Sequence, residues 1–134
     1  MKEEERRAIV AYRIERARTT YDEVEKLIAA ELWNTAMNRL YYATYYAAIA
    51  LLASRELFPA THNGVRQLLG LHFIKTSLIS QAHGELFSTL FDKRHSSDYN
   101  DFVDMDRERL MPFIVPAGEM IRSIEELLKN NVRT

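Results

Sequence analysis

Two arginines stand where a charge is costly. Arg39 lies in the run Trp33–Ala53, and from Ala36 to Ala53 its only clearly polar companions are Asn38 and Thr44. Arg94 follows Leu90 by four positions and so extends an apolar helical face. A guanidinium among apolar neighbours needs a partner. Arg39 either finds one elsewhere in the chain, together with Asn38, or snorkels to water at the helix edge. Arg94 has a local partner in Asp98, four residues on, at the spacing of an intrahelical ion pair. The four histidines, His62, His72, His83 and His95, show no i, i+4 pairing. Asp92, His95 and Asp98 fall three apart on one helical face, a weak metal constellation that lacks a further ligand and a supporting shell. No metal site and no cofactor are expected.

Other chemistries are missing their residues. Gly64, Gly70, Gly84 and Gly118 are scattered, so no glycine-rich phosphate loop exists. The absence of cysteine removes disulfides, thiolate metal sites and cysteine nucleophiles. Formal net charge is −1, without the global basic footprint of a nucleic-acid binder, so any such contact must come from a local patch.

The elements that must position these residues read as helices throughout. Val10, Ile14, Ala17, Tyr21, Val24 and Ile28 form one apolar stripe from about Lys2 to Ala30. Arg13, Arg16 and Arg18 decorate the remaining surface; they could meet phosphate, but a solvated face laced with pairs such as Glu15–Arg18 is the simpler expectation. Trp33–Ala53, free of Gly and Pro and apolar nearly all round, predicts a central helix covered by the others. Its apolar core is shorter than the roughly 20 residues a bilayer needs, so no membrane span is expected. On a helical wheel Arg39 shares its side with Tyr42, Tyr46 and small alanines, where tyrosine hydroxyls give a polar tip to a mostly buried face.

Phe58-Pro59 breaks the chain. Thr61 then caps a helix from His62 to about Lys75, and Ser80 caps the next, through Leu86, Phe87, Leu90 and Phe91. A last stripe, Leu110, Ile114, Ala117, Ile121, Ile124 and Leu128, contains Pro112 and Pro116, which predict a kink or a fresh helix start near Pro112. The expectation is all-α, an up-and-down bundle of about five helices forming one domain over residues 1–134. The charged N-terminus lacks the apolar core of a signal peptide, which points to the cytoplasm.

The segment Asn38-Arg39-Leu40-Tyr41-Tyr42-Ala43, followed by Thr61-His62-Asn63-Gly64-Val65, His72-Phe73 and Arg94-x-x-x-Asp98-Tyr99, resembles the HEPN domains, in particular small stand-alone prokaryotic members. The resemblance covers roughly residues 32 to 100. It implies a helical bundle, commonly a homodimer, tied to nucleotide or RNA chemistry and often paired with a minimal nucleotidyltransferase in toxin–antitoxin systems. Active members are metal-independent endoribonucleases with an Arg-x(4–6)-His motif, whose arginine suits phosphate oxygens and whose histidine exchanges a proton near neutral pH.

Arg94 matches the motif arginine, but Tyr99 stands five residues on, and no histidine occupies the required place. Arg55-x(6)-His62 and Arg66-x(5)-His72 match in spacing only. The resemblance therefore implies a non-catalytic or cryptic nucleotide- or RNA-binding module. Asn38, Arg39, Tyr42, Tyr46, Arg94, Asp98 and Tyr99 are its expected ligand-binding residues, with Arg39 and Arg94 in one cleft. The alternative is a metal-independent endoribonuclease toxin using Arg94 with His95 or Tyr99 as catalytic residues. Tyr99 also stands near the tyrosine that a partner nucleotidyltransferase adenylates in some toxin members.

Overall fold

A computed structural model describes residues 1–99 and 104–132, with the side chains of 1–94 and 104–130. Among these the chain is all-α: α1 (Glu3–Ala29), α2 (Trp33–Ala53), α3 (His62–Leu69) running into a π turn at Gly70–Ile74, α4 (Gln81–Tyr99) and α5 (Arg107–Val132). No strand occurs among the described residues. None of their helices is long and apolar enough to cross a membrane.

α2 is the rod at the centre. Twelve of its 21 residues are buried, and it packs against each of the other four helices. The alanines Ala36, Ala43, Ala47, Ala48 and Ala50 let neighbouring backbones come close, while Met37, Leu40, Tyr41, Leu51 and Leu52 fill the space between. The buried Thr44 hydroxyl donates to the Tyr41 carbonyl (2.8 Å), so its burial leaves no stray donor. α1 lies along α2 and buries Ala17, Thr20 and Val24, with Val10, Ile14, Tyr21 and Ile28 packed beside them. The expected Glu15–Arg18 pair does not form; Arg18 reaches across to Glu125 of α5, a carboxylate already placed within reach by helix packing.

Three helical segments end without glycine. Glu31 (φ 58°), Glu56 (φ 59°) and Ser77 (φ 63°) each adopt the left-handed region. Each sits between the paired backbone bonds of a Schellman turn, such as Leu32 N–H to Leu27 O and Glu31 N–H to Ile28 O (both 2.9 Å). A side chain costs about 1–2 kcal/mol in this conformation, partly offset by the stiffer unfolded chain of a non-glycine residue. Glu31→Gly and Ser77→Gly should each stabilise the protein by about 0.5–1 kcal/mol in urea denaturation. A loss of stability in both would show that these side chains make contacts worth more than the strain.

Thr61 Oγ1 accepts from Gly64 N (2.9 Å) and Ser80 Oγ from His83 N (3.1 Å), so both expected caps are in place. The helix expected to run to Lys75 instead widens after Leu69, where Lys75 N–H bonds Gly70 O (2.9 Å). The wide turn buries Phe73 and leaves Leu71 outside.

α5 runs as one helix through both prolines, so of the two outcomes expected there the fresh helix start does not occur. Asp106 Oδ1 accepts from Arg109 N (2.9 Å) and caps the helix six residues before Pro112. Pro112 is exposed, as is Glu108, whose carbonyl loses its donor to the proline ring, so water can satisfy that carbonyl. The opposite face buries Leu110, Ala117, Met120, Ile121, Ile124 and Leu128, which outweighs the missing bonds.

Candidate functional site

Burying most of α2 leaves one edge of it half-covered, and that edge carries Tyr42, Tyr45 and Tyr46. Their ring centroids lie 5.9–6.0 Å apart, edge-on or tilted. Tyr41, fully buried, underlies them: its ring is 5.2 Å from Tyr42 and 5.9 Å from Tyr45, and its inner side meets Phe87 and Phe91 of α4 at 6.0 and 6.2 Å.

Arginines from three helices lie on these rings. Arg39 holds its guanidinium 5.0 Å from the Tyr42 centroid and donates to Asn38 Oδ1 (3.1 Å), one helical neighbour orienting the other. Arg94, from α4, donates to the Tyr42 hydroxyl (2.9 Å) and sits 5.4 Å from the Tyr42 ring and 5.8 Å from that of Tyr41. Both arginines thus meet at Tyr42. Tyr46 instead receives Arg16 of α1, at 4.5 Å, and Arg13 donates to the Ile49 carbonyl (3.1 Å) with its guanidinium 5.6 Å from Phe58. Arg13, Arg16 and Arg39 form no ion pair among the described residues. The cation–aromatic contacts hold the guanidiniums in place without neutralising them.

A histidine completes the cluster. His62, the first residue of α3, stacks on Tyr45 (centroids 4.4 Å, planes 10° apart), and its Nδ1 is 2.9 Å from the Tyr41 hydroxyl. Burial, then the nearby Arg94 charge, hold its pKa below the ordinary histidine value, which favours the neutral ring. Burial pushes the Tyr41 and Tyr45 hydroxyls above the usual tyrosine range, which keeps them protonated.

Of the residues expected from sequence, Asn38, Arg39, Tyr42 and Arg94 come together, while Tyr46 lies farther along the same edge with Arg16. The side chains of His95, Asp98 and Tyr99 lie outside the described residues. Asp92, the remaining member of the weak metal constellation, pairs with Arg66 (3.6 Å). Arg55 meets the Phe73 ring (4.3 Å) and the His72 carbonyl, and makes no hydrogen bond to His62 among the described residues. Periodicity missed His62, Tyr45 and Arg16. The only signal for His62 was the Thr61–Val65 segment itself, which carries no spacing relation to Arg94.

Comparison with known proteins places the chain in a family. The family model described as HEPN domain matches residues 10–129. The chain is a HEPN-domain protein. A Thermotoga maritima protein named "UPF0332 protein" is 30% identical over 126 residues, covering 94% of this chain and 96% of its own. Two Methanocaldococcus jannaschii proteins, each named "Putative toxin", are also 30% identical. One matches over 117 residues (87% of this chain, 86% of its own) and the other over 95 (71% and 65%). Within this domain the half-covered tyrosine edge of α2 lies beside Arg94, the late arginine on which the sequence resemblance turned.

Proposed function

We propose that this HEPN protein binds nucleotide or single-stranded RNA at the tyrosine edge of α2, without cleaving it. In this reading it works as a homodimer beside a minimal nucleotidyltransferase in a toxin–antitoxin-like pair. One observation carries the binding reading: Arg39, Arg94 and Arg16 lie on half-buried tyrosines in a chain whose net charge is −1. Guanidiniums suit phosphate oxygens and aromatic faces stack bases, the two contacts that single-stranded nucleic acid offers together. Tyr99 in place of a histidine after Arg94 supports binding without cleavage. The name of the Methanocaldococcus relatives supports the toxin–antitoxin setting, and the family resemblance implies the dimer and the nucleotidyltransferase partner.

Fluorescence anisotropy tests the binding. A labelled single-stranded oligoribonucleotide should bind with an affinity that falls as salt rises, and more tightly than a duplex of the same sequence, whose bases cannot stack on tyrosine. Absence of salt-dependent binding would remove this reading.

The relatives' toxin names favour a second reading, a metal-independent endoribonuclease using Arg94 with His95 or Tyr99. Growth arrest and RNA cleavage on expression, both lost in Arg94→Ala, would establish it in place of the first.

A further inference from the structure

His62 is held by its neighbours on one side and left open on the other. Nδ1 faces the Tyr41 hydroxyl at 2.9 Å, the ring lies flat on Tyr45, and Nε2 makes no hydrogen bond among the described residues. A hydroxyl both donates and accepts. Tyr41 can therefore donate to Nδ1 of the neutral ring, or turn and accept from Nδ1–H of the imidazolium. Both protonation states are satisfied at the buried end, and only the outer nitrogen answers to what arrives from solution.

The charged and titratable groups around the ring are Tyr41, Tyr42 and Tyr45 of α2 and Arg94 of α4. Arg66 on its own helix lies near Tyr41, and Arg13 of α1 lies beyond Tyr45. No carboxylate contacts the ring among the described residues. Arg66 is paired with Asp92, so the charge that acts on the ring is that of Arg94, and it opposes the ring's own. An anion entering beside Arg94 reverses that balance.

We infer that His62 is the proton-accepting ligand of the phosphate site: a phosphodiester held by Arg94 draws a proton onto His62, whose Nε2–H then donates to a phosphate oxygen. This rests on the binding reading above and adds a residue and a regulation to it. The proton comes from solvent, no covalent bond changes, and the complex holds one proton more than the free protein and ligand. Burial and Arg94 depress the pKa of the free protein, the bound phosphate raises it, and affinity therefore grows as pH falls through the interval between the two values.

The probe is a 5′-labelled single-stranded oligouridylate, because neither uracil nor an internal phosphodiester titrates near neutrality. At constant ionic strength, wild type should bind it about tenfold more tightly at pH ~5.5 than at pH ~8. His62→Asn should bind with nearly the high-pH affinity at both. Because His62 also packs, a second readout uses the wild type alone: the NMR titration midpoint of the His62 ring should rise when oligouridylate is added. Equal pH dependence in wild type and His62→Asn, or a midpoint that does not rise, overturns this inference and leaves the binding reading standing. Failure of the wild type to bind at either pH overturns both.

Discussion

Arg94→Ala should weaken binding of single-stranded RNA by about 10- to 100-fold. The contact it removes, a charge-assisted bond from arginine to phosphate, is worth about 1.5–3 kcal/mol when its partner is desolvated. Arg94 is half-buried over Tyr41 and Tyr42 and anchored by the Tyr42 hydroxyl, so little side-chain freedom is lost on binding. If Arg94 neutralises one phosphate, the slope of log affinity against log salt should also drop by about 0.7 in the variant, the single-strand value per phosphate. Arg94→Lys keeps the charge but not the planar fork, and should retain the slope while losing much of the affinity. Arg39→Ala should act in the same direction. The double variant should lose other than the product of the two single losses, because both guanidiniums rest on Tyr42 and each helps place the other. Anisotropy titrations at several salt concentrations check all four variants. A loss of affinity with an unchanged salt slope in Arg94→Ala would mean that Arg94 shapes the site without meeting phosphate.

Tyr41→Ala should cost about 3–5 kcal/mol of folding stability, while Tyr41→Phe should cost about 1 kcal/mol or less. Tyr41 is fully buried and among the largest such side chains. It fills the space between α2, α4 and the start of α3, touching Tyr42, Tyr45, His62, Phe87 and Phe91. Truncation to alanine opens a cavity that rings anchored on three helices cannot close. Loss of the hydroxyl alone keeps the packing and removes one neutral hydrogen bond, the one to His62 Nδ1. Urea denaturation of the two variants separates the roles. Equal losses would mean that the hydroxyl, and not the ring, is what the core depends on.

Much of this fold was legible because its helices announce themselves locally. Trp33–Ala53 has no breaker and matches its predicted bounds, and Thr61 and Ser80 cap as their side chains dictate. Pro112 and Pro116 do not start a fresh helix because the burial that carries α5 through them comes from contact with the other helices, which local propensity does not register. The candidate site divides in the same way. Arg39 and Arg94 stood out as charges on apolar faces, a signal contained in one helix at a time. His62 did not, since its place against Tyr45 and near Arg94 depends on how the Phe58-Pro59 connection returns α3 across α2. Arg16 read as part of a solvated charge run because its contact, the Tyr46 ring, belongs to another helix.

Photo-crosslinking tests the central claim most directly. A single-stranded oligoribonucleotide carrying 4-thiouridine, irradiated with the protein and mapped by mass spectrometry, should mark peptides holding Tyr42, Tyr45 and Tyr46, with a second mark near His62. The yield should fall when Arg39 and Arg94 are both replaced by alanine. Crosslinks confined to the exposed apolar positions of α5, Met111 and Val115, would contradict the account and move the binding surface to the other helix.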